Sequence, residues 1–329
     1  MNCVEAVARA GRETGRAGHP PGAAAAGSST FLPVTDYDLA ATLEGGQAFR
    51  WSACAEPPAA VRSWEGVVAG RWIRLTAVPG GIWAEAALPQ RDWRWLTDYL
   101  GADENLGAVL ATFPDDAPMR EATAACRGLR LLRQEPWECL ASFVLSSTKQ
   151  IVQIREMVRL LCERFGDPVV VPPGRPPAFA FPDPDRLAAA GEAELRACKL
   201  GFRAPYLRAV AQRVAQQDPD LARLRDRPLA EARAALLALP GVGPKIANCV
   251  LLFSLGFRQA FPLDVWVLRA LRQLYFPRRR VTFRRLEAFS ATHFGPHGGY
   301  AQQYLFHHIR QRAGRDARRA RVRNSDIQA

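Results

Sequence analysis

A short run of Pro and Gly between two apolar helical segments is the feature that most restricts the fold of this chain. It reads Leu-Pro-Gly-Val-Gly-Pro-Lys over residues 239–245. Proline cannot continue a helix and glycine enters backbone conformations that other residues resist, so the run predicts a tight turn between two helices. Glycines on both sides of one apolar residue also let backbone N–H groups face outward, where a phosphate can approach them. Gly241 and Gly243 are therefore candidate DNA-binding residues.

Lys245 stands at the start of the second helix of this hairpin. The unpaired N–H groups and the dipole of a helix N-terminus favour an anion and disfavour a protonated amine. All but three of the 44 Lys and Arg residues of the chain are arginine. Arginine stays protonated and cannot form a Schiff base, whereas a neutral lysine can. Lys245 is thus a candidate amine nucleophile, and a solvated lysine is the alternative.

The charge and composition of the chain suit a globular protein that binds a polyanion. The net charge is +12 over 329 residues, and 48% of the residues are hydrophobic. A positive charge of this size favours a nucleic-acid partner. The alternative is that the charge only reflects a composition biased towards arginine. No apolar run approaches the ~20 residues that a membrane-spanning helix needs, so we expect a soluble protein without a membrane partner. Residues 1–30 are rich in Gly, Ala, Pro and Ser and are expected to be a disordered extension, and residues 311–329 a basic tail.

The seven cysteines argue against a disulfide framework, because their number is odd and none are closely paired. No Cys-x-x-Cys occurs, which excludes the usual structural zinc spacings and a compact iron–sulfur loop. We therefore expect no metal and no cofactor. A reducing compartment is expected, which is the cytoplasm or nucleoid in a bacterium and the nucleus in a eukaryote.

Residue patterning divides the chain into an N-terminal part of strands and a C-terminal part of helices. Residues 31–118 contain short aromatic and β-branched runs between Gly and Pro clusters, which predicts an antiparallel β domain. Residues 119–310 change to apolar spacings of three and four, which predicts a helical domain and an α+β fold. The predicted strands are 49–52, 63–68 and 72–76, and the predicted helices are 137–145, 151–165, 187–195, 206–214, 229–239, 246–255, 265–274 and 300–309.

The hairpin, together with Asp264 after Pro262 and Leu263, resembles the helix-hairpin-helix DNA glycosylases, which remove damaged bases. Further segments resemble the 8-oxoguanine DNA glycosylase/AP lyase branch of that superfamily, in the order of that branch. The resemblance spans most of residues 31–310. It implies a monomeric enzyme that acts on double-stranded DNA containing oxidised guanine. The segments that carry it are 46–51, 136–143, 201–206 and 301–306.

The resemblance implies a catalytic pair. Lys245 would attack the sugar C1′ and displace the base, leaving an imine that permits strand cleavage by β-elimination. Asp264 would stabilise the positive charge that develops on the sugar. An aspartate at the start of a helix is also a good N-cap, and both roles can hold at once.

The resemblance also implies a base-binding pocket. Gly46 would offer its carbonyl to the N7 hydrogen that distinguishes the oxidised base from guanine. Phe306 and Cys249 would sandwich the base, and Gln302 would read its Watson–Crick edge. For Cys249, a small buried hydrophobic residue is the alternative.

Other positions would contact the DNA around the vacated base. Phe202 would wedge into the duplex and Arg203 would read the orphaned cytosine, with a phosphate contact as the alternative for Arg203. Thr148 stands where the eukaryotic branch has an asparagine that fills the vacated stack. Gln153 replaces a second cytosine-reading arginine, and Trp266 occupies a position that is often histidine.

Two alternative functions remain at this point. A related glycosylase for another oxidised or alkylated purine would share the hairpin and the fold. A non-catalytic helix-hairpin-helix DNA-binding protein would explain the hairpin and the charge. The second alternative leaves the combination of Lys245 and Asp264 without a purpose.

Overall fold

The computed structural model describes residues 27–54 and 62–328, with side chains up to residue 315. Residues 1–26 of the expected extension lie outside this part, as do the side chains at the end of the expected basic tail. None of the described helices is long and apolar enough to cross a membrane.

A five-stranded antiparallel sheet forms the N-terminal part. The strands are β1 (Ser28–Pro33), β2 (Ser52–Cys54), β3 (Ser63–Val68), β4 (Arg71–Val78) and β5 (Gly81–Ala86). They lie in the order β1-β5-β4-β3-β2. One face of the sheet is buried, as the alternating burial along β5 shows. Helices α1 (Leu39–Glu44) and α2 (Arg94–Tyr99) cover this face and share one apolar core with it.

Two expectations for this region need correction. Strand β1 begins at Ser28, so the last residues of the expected 1–30 extension belong to the sheet. The strand expected over 49–52 is absent apart from Ser52, which starts β2. Phe49 packs edge-on against Phe143, with ring centroids 5.4 Å apart. The aromatic pattern here reflects burial in an irregular segment rather than strand pairing.

The rest of the chain is a helical domain with one small hairpin, β6 (Pro168–Val169) and β7 (Ala178–Phe179). Its apolar core is continuous across the helices. The helices are α3 (Leu106–Leu110), α4 (Ala117–Ala125), α5 (Pro136–Val144), α6 (Ile151–Phe165), α7 (Pro184–Ala189), α8 (Glu192–Ala197), α9 (Ala204–Ala215), α10 (Leu229–Leu237), α11 (Pro244–Phe253), α12 (Val265–Leu274), α13 (Phe283–His293) and α14 (Gly298–Gln328).

The helix expected over 187–195 is two helices, α7 and α8. The chain turns at Ala190 and Gly191, and the Glu194 carboxylate accepts the Gly191 N–H at 3.1 Å, which starts a new helix. Helix α13 has no counterpart among the helices expected from the sequence pattern. Helix α14 continues past residue 309, so the backbone of the expected basic tail is helical up to Gln328.

Candidate active site

The hairpin between α10 and α11 uses its two glycines differently. Gly241 has φ +73, and a Cβ there would lie 2.9 Å from the ring of Tyr206. Gly243 is the N-cap of α11, and a Cβ there would meet no protein atom within 4 Å. Val242 between them is buried and anchors the turn. Gly241 therefore lets the turn close, and Gly243 leaves the first turn of α11 open to an approaching phosphate.

Lys245 lies in the first turn of α11, and its amine is held by a specific contact. The Nζ donates a hydrogen bond to the Ser146 Oγ at 2.7 Å. That hydroxyl donates its own hydrogen to the Phe143 carbonyl at 2.6 Å, so its oxygen is free to accept from the lysine. The Nζ also lies 5.0 Å from the centroid of the Phe143 ring. The loop after α5 thus fixes where the amine sits.

Asp264 is the N-cap of α12. Its Oδ1 accepts the Val267 N–H at 2.8 Å. Burial is the main effect on the side chain and raises the pKa of Asp264, while the backbone N–H groups and the charge of Lys245 oppose that rise. The cap thus places a buried carboxyl close enough to Lys245 for their charges to interact.

A cavity of about 840 Å³ brings most of the expected site residues together. Its size falls in the range of small-molecule sites. The walls come from the loop after α1, the loop between α5 and α6, helix α11, the start of α12, and α14. The expected site residues that line it are Gly46, Thr148, Lys245, Cys249, Asp264, Gln302 and Phe306.

Gly46 forms one edge of this cavity in a conformation that favours glycine. Its φ is +77, and a Cβ would come within 2.7 Å of Ile151 Cδ1 and 3.4 Å of Phe306 Cε1. Any side chain here would therefore strain the backbone and intrude on Phe306.

Two glutamines that the sequence reasoning missed hold this edge in place. The buried Gln47 amide donates to the Thr42 and Arg130 carbonyls, at 2.9 and 2.8 Å. Gln303 donates to the Gly45 carbonyl at 2.8 Å, which ties the loop to α14. Both glutamines adjoin expected site residues in sequence, which was the only signal for them.

Helix α14 presents Gln302 and Phe306 one turn apart. Gln302 is only 3% exposed, and its Oε1 has no hydrogen-bond partner among the described residues. On the facing helix α11, burial raises the pKa of the Cys249 thiol to about 12, so that the side chain is a neutral apolar wall. This part of the cavity therefore has apolar walls. It also contains one hydrogen-bond acceptor, the Gln302 Oε1, to which no described protein group donates.

Phe202 and Arg203 lie outside the set of residues that lines the cavity. Phe202 is 55% exposed, whereas Arg203 is 3% exposed. The Arg203 guanidinium donates to the Ser147 carbonyl and, at 2.8 Å, to the Thr148 Oγ1. In this structure Arg203 therefore braces the loop between α5 and α6. Gln153 is similarly engaged, because its Oε1 accepts the Gln150 N–H at 3.1 Å.

Family models cover most of the chain. Residues 29–140 match the model described as 8-oxoguanine DNA glycosylase, N-terminal domain. Residues 141–292 match the model of the HhH-GPD superfamily base excision DNA repair protein. The division expected from the sequence, a β domain followed by a helical helix-hairpin-helix glycosylase domain, is confirmed at the level of fold class.

Individual relatives agree with these models. The chain is 32% identical to the N-glycosylase/DNA lyase OGG1 of Arabidopsis thaliana, covering 84% of this chain and 78% of that protein. It is 28% identical to a probable N-glycosylase/DNA lyase of Methanothermobacter thermautotrophicus, covering 85% of this chain and 96% of the relative.

Solved structures show the same fold. MBOgg1 in complex with a low-affinity DNA ligand superposes with a TM-score of 0.80 at 31% identity, covering 87% of this chain and 96% of that one. The Clostridium acetobutylicum 8-oxoguanine glycosylase/lyase, in complex with double-stranded DNA containing cytosine opposite 8-oxoguanine, gives a TM-score of 0.78 at 25% identity, covering 86% and 98%. With the cavity, its lysine and its aspartate in place, these matches show that the chain belongs to the 8-oxoguanine DNA glycosylase family of N-glycosylase/DNA lyases.

Proposed function

We propose that the protein is a bifunctional DNA glycosylase and AP lyase that excises 8-oxoguanine from duplex DNA, with Lys245 as its nucleophile. The observation that carries this proposal is the Lys245 amine, held by Ser146 in a cavity that Asp264, Gln302 and Phe306 also line. The relatives' names, N-glycosylase/DNA lyase, support both activities. No observation supports a non-catalytic DNA-binding protein, or a glycosylase for a different purine.

Recognition begins when the damaged nucleotide leaves the duplex and its base enters the cavity. Gly46 offers its carbonyl to the N7 hydrogen of the oxidised base. The Gln302 Oε1, which has no donor among the described residues, accepts a hydrogen from the Watson–Crick edge. The base stacks on Phe306 and against the neutral Cys249 side chain. Guanine lacks the N7 hydrogen, so its N7 lone pair faces the Gly46 carbonyl and weakens binding.

Chemistry follows at the sugar. The Lys245 Nζ forms a bond to C1′ while the C1′–N9 bond breaks, and the electron pair of that bond leaves with the base, which takes up a proton. The Asp264 carboxylate stabilises the positive charge on the sugar. Loss of a proton from Nζ and opening of the sugar ring give an imine. Loss of a C2′ proton then breaks the C3′–O bond and releases the strand end.

DNA binding outside the cavity comes from the hairpin and from Phe202, which is exposed for insertion into the duplex. Gly241 and Gly243 place backbone N–H groups toward a phosphate. Thr148 lines the cavity and contacts the orphaned base, and Arg203 joins it there once its buried guanidinium turns away from the Thr148 Oγ1. A single copy supplies both the proposed catalytic pair and the proposed base contacts of the cavity, so we propose that the protein acts as a monomer.

An intracellular location accords with a DNA substrate and with the cysteines. The structure describes five buried cysteines as free thiols, namely Cys126, Cys139, Cys162, Cys198 and Cys249. Free thiols persist in reducing compartments, which here means the cytoplasm and nucleoid of a bacterium or the nucleus of a eukaryote.

Borohydride trapping tests the proposal. The protein is incubated with an 8-oxoguanine:cytosine duplex and borohydride, which reduces the imine to a stable adduct. Lys245→Gln is expected to abolish the adduct and base release. The chain offers matched controls in its other two lysines: Lys149 at the cavity edge and Lys199, which pairs with Glu156 at 3.0 Å. Trapping that survives in Lys245→Gln, or that disappears in Lys149→Gln instead, refutes the assignment of the nucleophile.

A further inference from the structure

Arg310 extends the base-facing stripe of α14 by one more turn. It follows Gln302 and Phe306 at spacings of four residues and lines the same cavity. Its guanidinium carbon lies 5.1 Å from the centroid of the Phe306 ring. A full positive charge therefore lies beside the ring on which the base is expected to stack. The proposed mechanism of base recognition and strand cleavage does not use this charge.

This charge is poorly compensated inside the protein. Burial lowers the pKa of Arg310, the neighbouring charge of Arg155 lowers it further, and the opposing attraction of Asp264 is smaller than the effect of burial. Among the described side chains, the guanidinium contacts an aromatic ring and has no hydrogen-bond acceptor. By contrast, Arg133 pairs with two aspartates, at 2.6 and 2.9 Å. Removing a cation from water without an anionic partner costs free energy. An anion that binds to the cation offsets this cost.

The charge of Arg310 and its position on α14 indicate what kind of ligand group can pair with its guanidinium. Gln302 presents an acceptor without a donor, and Arg310 presents donors without an acceptor, on either side of Phe306. The two residues are eight positions apart on α14, about 12 Å at 1.5 Å per residue. That span is longer than a purine and suits a nucleotide measured from its base edge to its phosphate. A full negative charge also compensates a desolvated guanidinium better than a neutral carbonyl does.

We propose that Arg310 is a substrate-binding residue that donates hydrogen bonds to a phosphodiester oxygen of the extrahelical nucleotide. The proposal rests on the proposed function, because it requires a nucleotide in the cavity. When the extrahelical nucleotide enters the cavity, with or without its base, the guanidinium turns from the Phe306 ring to the phosphate and its charge gains a partner. Arg310 thereby holds the backbone of that nucleotide, independently of the hairpin.

Equilibrium binding tests this role. Arg310→Met retains the apolar stem and removes the charge, and Arg312→Met removes an exposed charge one half-turn further along the same helix as the matched control. Affinity is measured over a salt series for two duplexes. One contains 8-oxoguanine on a 2′-fluorinated sugar, which resists base excision, and the other contains a tetrahydrofuran abasic analogue, which keeps the phosphates and lacks a base. Thermal melting of each variant confirms that it is folded.

A phosphate contact predicts that Arg310→Met weakens binding to both duplexes by a similar factor, about tenfold. The slope of log K against log salt should fall by about 0.9 relative to wild type. A loss that is confined to the 8-oxoguanine duplex, with an unchanged salt slope, assigns the contact to a purine carbonyl and overturns the proposal. A loss no greater than that of Arg312→Met also overturns it.

The two proposals can fail separately. Trapping through Lys245 uses a cleavable substrate and reports on the nucleophile. The Arg310 measurement reads binding to a duplex that cannot be cleaved. If wild type is trapped normally while Arg310→Met binds like Arg312→Met, only the phosphate contact is refuted. If wild type neither releases the base nor prefers damaged DNA, the proposed function itself is refuted.

Discussion

At the scale of single residues, Asp264 combines an observed structural role with a proposed chemical role. It caps α12 through the Val267 N–H and contributes to the wall that also holds Lys245. Because burial raises its pKa, the ionised carboxyl costs the folded protein stability at neutral pH. This cost is found at a position where the proposed mechanism requires a negative charge, which is the behaviour expected of a functional group.

Two substitutions separate these roles. Asp264→Asn keeps a good cap and loses the charge, whereas Asp264→Ala loses both. We expect Asp264→Asn to melt at the same temperature as wild type or higher at pH 7, and to lose at least about tenfold in single-turnover excision, equivalent to about 1.4 kcal/mol. Asp264→Ala should in addition lose about 1 kcal/mol of stability. Equal activity of Asp264→Asn and wild type would contradict the electrostatic role.

The sign of the pH dependence follows from the same shift. The folded pKa of Asp264 is raised, so its stabilising contribution is present at low pH and is lost as pH rises through that pKa. Activity changes in the opposite sense, because the carboxylate is the active form. Wild-type excision should therefore fall on acidification at a pH above the usual range for aspartate, and Asp264→Asn should lack that acidic limb.

Ser146 is expected to act through Lys245 as a positioning residue. Its hydroxyl accepts from the Nζ and is itself oriented by the Phe143 carbonyl, so the amine is held at the wall of the cavity. Ser146→Ala should slow trapping and excision about 3- to 10-fold, the equivalent of one hydrogen bond, with little change in DNA affinity. Ser146→Thr should restore the rate because it keeps the hydroxyl. The neighbour Ser147 contacts Arg203 only through its carbonyl, so Ser147→Ala is the control.

At the scale of elements, the two glycines of the hairpin are needed for different reasons. Gly241 is needed for the backbone conformation, and Gly243 is needed to keep the surface open. Gly241→Ala forces a Cβ into positive φ and onto the Tyr206 ring, so we expect it to cost about 1–2 kcal/mol in urea unfolding. Gly243→Ala meets no protein atom and should leave stability within about 0.5 kcal/mol of wild type. Its methyl group faces the side from which phosphate approaches, so its effect should be on DNA affinity. The reverse assignment of the two effects would refute this account of the hairpin.

The elements that were predicted correctly have strong local signals. Residues 151–165 and 265–274 form α6 and α12 with the expected bounds, because their apolar spacing and flanking residues agree. The error at 49–52 has a nonlocal cause, since Phe49 is buried by a ring that is distant in sequence. The break at Gly191 did have a local signal, a glutamate three residues later that caps the new helix. Apolar periodicity alone predicts one continuous helix there, whereas the capping pattern indicates that a second helix begins.

The site shows the same division between local and distant information. Lys245 and Asp264 were identifiable because the hairpin and a helix start surround them. Gln47 could not be placed from its neighbours, because one of its key acceptors is the Arg130 carbonyl, 83 positions away. The hydrogen bond of Arg203 to Ser147, 56 positions away, was likewise invisible in the sequence. The contacts expected with the base opposite the lesion could therefore be predicted least well, because they depend on residues that are far apart in the sequence.

At the scale of the whole molecule, hydrogen bonds join the two domains. The Arg133 N–H donates to the Tyr99 carbonyl at 2.8 Å, and the Gln303 side chain donates to the Gly45 carbonyl at 2.8 Å. Glu104 accepts from the Tyr300 hydroxyl at 3.1 Å and pairs with Arg258. These bonds fix the β domain against α14, so the cavity walls hold their relative positions before DNA arrives.

The chain beyond residue 315 adds positive charge to the molecule. Truncation after Arg315 removes four arginines and two aspartates. We expect a smaller salt dependence of DNA binding, because each phosphate that the shortened chain no longer neutralises lowers the slope by about 0.9. The preference for 8-oxoguanine over guanine should be unchanged. A fluorescence titration with damaged and undamaged duplexes measures both quantities. A changed damage preference would show that this segment acts on the cavity as well.

The placement of Gly46, Gln302 and Phe306 on the chain has a consequence for how such an enzyme diversifies. The segment that matches the base-excision superfamily, residues 141–292, carries both Lys245 and Asp264. Three of the residues proposed to bind the base lie on either side of it, in the loop after α1 and on α14. The proposed catalytic pair and most of the proposed base contacts are thus encoded in separate stretches of the gene. We therefore expect that substitutions at either end can change the preferred lesion while the catalytic pair in the middle keeps its arrangement.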